Sequence, residues 1–269
     1  MIGGLTIGQF IPGNSLAHRL DPRTKIGIVL VFIIVLFMAR GVVPWIVLTA
    51  FTVLAVTVSQ TPPQMILRGL KPVVFIIVLT VGLNMFMTRG EPLFRIGPLV
   101  ATREGLAFGA LMGFRIVLLI AFSSLLTVTT SPIALTDGLE ALLKPFSRIG
   151  VPAHELAMMM SIALRFIPTL LEEADKIMKA QMARGADFET GNFLQRARSL
   201  VPLLVPLFVS AFRRADELAM AMEARCYRGG QGRTRLKQLR AERRDYLAFA
   251  ATLIVAAVVI AFRYGFGHG

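Results

Sequence analysis

A chain of 269 residues that is 55% hydrophobic, only 17% charged and of mean hydropathy +0.68 has too little polar surface to fold in water, since soluble domains carry about a quarter charged residues. Its excess apolar area must face lipid, which excludes a soluble enzyme and favours one membrane unit over several independent domains. The net charge of +13, from 29 Lys and Arg against 16 Asp and Glu, sits between apolar runs and not on one soluble face. That placement predicts basic cytoplasmic loops touching anionic lipids and argues against nucleic acid as a partner.

Met1 to Pro22 lacks the zones of a signal peptide, so the first apolar run is expected to remain as an anchor. Asp21 is placed to N-cap a helix with Pro22 in its first position. Ile26 to Ala39 supplies only about 21 Å of apolar helix. Lys25 and Arg40 are expected to snorkel from its ends, giving a short, tilted or partly re-entrant span. Val42 to Val58 is the second span, stopped by Pro62-Pro63. The third runs from Pro72 to Thr88, where Asn84 is expected to make a helix–helix hydrogen bond. RGEPLFRIGPLVATRE carries turns and short β-prone pieces and reads as an external loop. Gly105 to Thr130 is the fourth span. Arg115 interrupts it and must face protein, water or the headgroup layer; a functional role and simple burial near an interface both fit.

Ser131 as N-cap and Pro132 as first residue open a short amphipathic helix with the stripe Ile133, Leu135, Leu139, Leu142 and Leu143. Two long helices follow, Pro152–Arg184 and Phe193–Arg225, each about 45–50 Å if continuous. Both begin apolar and end charged, and Pro168, Pro202 and Pro206 are expected to kink or break them. Tyr246 to Phe262 is the last span. The expected architecture is an all-α integral membrane protein, a multi-span helical bundle. Residues 1–130 form N-terminal transmembrane helices, 131–230 a region of long helices, and 231–269 a basic loop and C-terminal span. Arg19, Arg23, Lys25, Arg68, Lys71, Arg228, Arg233, Arg235, Lys237, Arg240, Arg243 and Arg244 place the N-terminus and the 131–245 region in the cytoplasm. Arg40 and the 89–103 loop then lie outside.

The clearest internal signal is a loose repeat. Ala174-Asp175 and Ala183-Arg184 recur forty-one residues later as Ala215-Asp216 and Ala224-Arg225. Each copy ends a long helix with alanine, arginine and a break. An arginine in the last turn complements the helix dipole and offers a rigid fork of donors to a partner carboxylate. Gly185 can take the left-handed conformation that ends a helix. Ordinary capping explains either arginine alone; the pair suggests a bivalent docking surface. Glu172, Glu173, Asp175, Asp216, Glu217 and Glu223, with Lys176, Lys179, Arg213 and Arg214, read as i,i+4 pairs and crossing-helix ties and not as catalytic groups. Met158, Met159, Met160, Met178, Met182, Met220 and Met222 suit either plain packing or a surface that repacks around partners.

No phosphate loop ending in Gly-Lys-Ser/Thr occurs, and GGQGRTR lacks its lysine, so the chain is not expected to hydrolyse ATP. His18, His154 and His268 form no triad or metal spacing, and Cys226, the single cysteine, has no internal disulfide partner.

IPGNSLAHRLDPRTK, SLLTVTTSPIALTDGLEALLKP, VPAHELAMMMSIALRFIPTLLEEADKIMKAQMARGADF and VPLLVPLFVSAFRRADELAMAMEARCYRGG resemble, over essentially the whole chain, the transmembrane T component of energy-coupling factor (ECF) transporters. The resemblance implies a membrane scaffold of prokaryotic cells with long crossed cytoplasmic coupling helices. Two Ala-Arg-Gly motifs at the helix ends would dock into two ABC ATPases, A and A′. The first motif is Ala183-Arg184-Gly185. The second is Ala224-Arg225-Cys226, where cysteine replaces glycine and either bears the cost of a positive φ or extends the helix slightly. The resemblance also implies a small membrane S component that binds a vitamin or metal, with interchangeable S components served by a shared module. No cofactor would be bound directly, ATP being used by the partners. A subunit dedicated to cobalt, nickel or biotin and a non-transporting scaffold are the other readings.

Overall fold

The computed structural model describes residues 10–96, 99–186, 188, 192, 199–229 and 239–265. These are helical apart from one hairpin and connecting turns. In chain order they are α1 (Leu16–Arg19), α2 (Pro22–Met38), α3 (Val42–Ser59), α4 (Pro63–Leu70), α5 (Val74–Met87), β1 (Pro92–Ile96), β2 (Leu99–Thr102), α6 (Arg103–Thr129), α7 (Pro132–Leu143), α8 (Ala153–Ala183), α9 (Val201–Ala224) and α10 (Arg243–Gly265). They form two compact units, one within Gly8–Leu139 and Leu239–Gly269, the other within Glu140–Gln238. The helices over Val42–Ser59, Pro63–Met87, Arg103–Thr129, Ala153–Ala183 and Arg243–Tyr264 are long and apolar enough to cross a bilayer. The 17 residues of α2 add a rod of about 26 Å. This is a multi-pass, all-α membrane protein.

Helix starts follow local chemistry. The Asp21 carboxylate accepts the Arg23 amide at 2.9 Å, Thr102 Oγ1 the Gly105 amide at 3.2 Å, and Ser131 Oγ the Ala134 amide at 3.2 Å. Each supplies an acceptor that the first turn otherwise lacks. The third span departs from expectation. Gln60 takes a left-handed φ of 53° and ends α3 before either proline. Pro63 then opens α4, and a 3₁₀ turn at Lys71–Val73 carries the chain past Pro72 into α5. The apolar run is thus 25 residues, Pro63–Met87. A tightened turn absorbs the amide that Pro72 lacks, so the run is not broken there.

The core of the first unit lies where α2, α3, α6 and α10 meet. Phe32 stacks on Phe122 at 3.9 Å between centroids, with Phe51 at 6.3 Å, and Leu36, Leu48 and Val259 are fully buried beside them. Because lipid is as apolar as these side chains, close packing and not water exclusion holds such helices together. The α5–α6 pair relies on this most. A Cβ on Gly105 would stand 2.5 Å from the Asn84 carbonyl oxygen, one on Gly109 3.0 Å from Val81 Cα, and one on Gly113 3.1 Å from Ile77 Cγ2. Three glycines at four-residue spacing let the two backbones touch. Asn84 is not the tie between them: its amide donates to Thr80 O in its own helix at 2.8 Å.

Charges inside this unit are matched to helix ends. Arg115 faces protein: Nη2 donates to Ala39 O at 3.5 Å, and Cζ lies 5.5 Å from the Phe37 ring and 5.3 Å from Trp45. Arg263 Nη1 donates to Met38 O at 3.4 Å. Two guanidiniums from α6 and α10 therefore serve carbonyls at the C-terminal end of α2 that have no partner within the helix. At the other end of α2, Lys25 is 7% exposed and does not snorkel. Its Nζ donates to Thr129 O at 2.9 Å, Thr130 Oγ1 at 3.1 Å and His18 O at 3.3 Å. Asp245 accepts from the Asp21 and Glu242 amides, both at 2.7 Å.

In α7 the residues facing the protein are Thr136 and Gly138, whereas Ile133 is 58% exposed. Gly138 packs closely on α2: a Cβ there would come within 2.9 Å of Pro22 Cβ. In the second unit α8 runs 31 residues through Pro168 and α9 24 residues through Pro206, with Pro202 in its first turn. Neither interior proline breaks its helix. Residues 193–198, where the second long helix was expected to begin, lie outside the described residues, as do Arg233, Arg235 and Lys237 of the basic loop.

Candidate functional site

The two long helices end in the same way. In α8 the Gly185 amide donates to Met182 O and the Ala186 amide to Gln181 O, both at 3.0 Å. In α9 the Cys226 amide donates to Glu223 O at 2.8 Å and the Tyr227 amide to Met222 O at 3.0 Å. Both are Schellman closures, which turn the chain through a left-handed residue and satisfy carbonyls of the last turn. Gly185 supplies that residue with φ +88° and Cys226 with φ +56°. Cys226 therefore takes the glycine conformation and does not lengthen α9. A Cβ in this region costs about 1 kcal/mol. Cys226→Gly is expected to raise the melting midpoint of the purified full-length chain by about 2–4 °C. An unchanged midpoint would show that the tip is not held in this geometry.

Ala183, Arg184, Gly185, Ala224, Arg225 and Cys226 are all exposed, and each trio forms the closing turn of its helix. Among the described residues no carboxylate pairs with Arg184 or Arg225, leaving each guanidinium free to meet a partner. The small residues flanking it leave room for a second backbone.

The helices cross where the repeat meets itself. Arg214 Nη2 donates to the Glu173 carboxylate at 2.8 Å across 41 positions, and Ser210 Oγ donates to the other Glu173 oxygen. Glu173 and Arg214 are thus equivalent positions in the two copies, paired as a charge-assisted hydrogen bond. Before the crossing, Phe166 and Leu170 of α8 share a crevice of about 270 Å³ with Leu218 and Met222, which follow the crossing in α9. The helices therefore run in opposing senses and their C-terminal tips diverge. Arg184 lies eleven residues beyond Glu173 and Arg225 eleven beyond Arg214, arms of about 16 Å each. Asp175 and Lys179 pair along one arm at 2.6 Å. Glu140 meets His154 Nδ1 at 3.2 Å where α7 gives way to α8. Sequence reasoning missed Ser210 and the Gly105, Gly109 and Gly113 ridge. The ridge was visible as i, i+4, i+8 spacing; nothing marked Ser210.

Membrane-length helices joined in one chain to a pair of long helices with matching arginine-bearing ends define a multi-pass helical membrane protein. A family model described as cobalt transport protein (CbiQ) matches residues 13–236. The chain is 61% identical to the energy-coupling factor transporter transmembrane protein EcfT of Thermosediminibacter oceani, covering 97% of this chain and 98% of the relative. It is 56% identical to the protein of that name in Clostridium kluyveri, over 99% and 100%, and 47% to that of Bacillus subtilis, over 98% and 100%. The chain belongs to this family, the transmembrane components of ECF transporters.

Proposed function

We propose that the chain is the scaffold and energy-coupling subunit of an ECF-type ABC importer in the prokaryotic cell membrane. Ala183-Arg184-Gly185 docks on one ATPase and Ala224-Arg225-Cys226 on the other. The N-terminus and both tips lie in the cytoplasm. The ATPases bind and hydrolyse ATP; this chain carries their approach and separation through α8 and α9 to a small S component, interchangeable with others, that releases a vitamin or other micronutrient inward. The observation that supports this reading best is the pair of identically closed, exposed arginine tips on equal arms, a form suited to two similar partners. A rigid helix transmits displacement at its tip to its far end.

The placement of the tips is testable with the native chain, because its single cysteine sits in one of them. With the chain expressed without its ATPase partners, a membrane-impermeant maleimide is expected to leave Cys226 unlabelled in intact cells and to label it in inverted vesicles. Labelling from outside intact cells would put the tips beyond reach of any cytoplasmic ATPase and end the proposal.

A further inference from the structure

The first unit contains a groove of about 370 Å³ between α1, α2, α3, α6 and α10, within the ~300–1,000 Å³ typical of small-molecule sites. Leu20, Val29, Leu54, Leu126, Leu247 and Ala251 are among the side chains that make its wall apolar, and the cations Lys25 and Arg244 also border it. The two cations differ in availability. The Lys25 ammonium already donates to three oxygens, which uses all its protons. Arg244 has one carboxylate near it among the described residues, Glu242 at 3.8 Å from Nε, and its side chain is 49% exposed. Asp245 does not oppose an anion here, since it is 3% exposed and both oxygens hold backbone amides. Glu242, beside Arg244, is exposed, and α10 carries two exposed arginines, Arg243 and Arg244, at this end.

Depth in the membrane can be read from α10. Arg243-Arg244-Asp245-Tyr246-Leu247 passes from cations through an exposed tyrosine to an exposed leucine. That is the order of residues met on going from headgroups into hydrocarbon. An apolar groove that opens at this level is reached by lipid tails, and a phosphate beside a guanidinium gains charge-assisted, geometrically specific hydrogen bonds.

We propose that this groove is a binding site for an anionic phospholipid, with one acyl chain along the apolar wall and the phosphate on Arg244. The site rests on the membrane-spanning reading of α3, α6 and α10 and is independent of ATPase docking.

The test is native mass spectrometry of the delipidated full-length chain, with phosphatidylglycerol and phosphatidylcholine of identical acyl chains added back. The wild-type chain is expected to retain phosphatidylglycerol preferentially. Ala251→Trp, and independently Val58→Phe, fill the groove and should lower occupancy by both lipids about tenfold. Arg244→Gln should keep acyl occupancy and remove a preference of about fivefold for the anionic headgroup. Val78→Trp, on the exposed face of α5, should change neither. Wild-type occupancy in a correctly folded groove-filling variant overturns the site, and an unchanged preference in Arg244→Gln overturns the phosphate assignment. Capture of a partner protein segment in the groove in place of lipid also overturns it. ATPase association of the same variants should stay at the wild-type level, so a failure of docking would register separately.

Discussion

Arg184→Glu combined with Arg225→Glu is expected to abolish binding of the ATPase pair and substrate uptake together, with the protein still inserted and folded. Both side chains are exposed, and neither pairs with a carboxylate among the described residues. Reversing them removes no internal contact, and surface changes of this kind move stability by no more than about 0.5 kcal/mol. Their effect at an interface is different in scale. Losing one partner of a buried, hydrogen-bonded charge pair costs about 2–5 kcal/mol, and placing like charges together adds to it. Two tips altered at once should weaken association by about a thousandfold or more. Pull-down of both ATPases, with uptake measured in the same cells, reads this directly. Normal association and uptake in the double variant would show that the tips do not couple.

The second large effect lies in the membrane. Gly105→Leu is expected to separate α5 from α6 and to cost about 3 kcal/mol or more. Even a single added Cβ would sit 2.5 Å from Asn84 O and 3.0 Å from Met85 Cα. Those are backbone atoms, which cannot turn aside as a side chain could. Two helices must move apart, and the contacts around Gly109 and Gly113 loosen with them. Gly82→Leu on the neighbouring helix is the control, since a Cβ there meets nothing within 4 Å. Thermal unfolding of the two purified variants distinguishes these outcomes; equal midpoints would mean that the glycine ridge is not the α5–α6 contact.

Features decided within a few residues were legible in the sequence. Asp21-Pro22 and Ser131-Pro132 start helices because cap and ring geometry are local. The long uncharged runs reveal spans because the bilayer sets their length. The paired tips could be read because alanine, arginine and a helix stop recur at one spacing. Features decided by distant partners were not legible. Lys25 reads as a cation at the edge of a span, yet Thr129 and Thr130, more than a hundred residues away, supply the acceptors that let it stay buried. Asn84 reads as interhelical glue, but close glycine packing leaves its amide to its own helix. Pro72 reads as the start of a span and Pro168 as a kink or break, whereas a tightened turn joins the residues before Pro72 to the span and a continuous helix runs through Pro168. The φ of Cys226 is the instructive case: side-chain preference argues against +56°, and the hydrogen-bonding demand of the closing turn prevails.

The pairing of Glu173 with its own repeat counterpart also has a geometric consequence. Eleven residues make three helical turns and about 20° more, so each arginine emerges almost directly in line with Glu173 or Arg214. The two guanidiniums therefore leave their helices at equal distance and equal phase from that ion pair. What distinguishes the two ends is the closing residue, glycine at φ +88° in one and cysteine at φ +56° in the other.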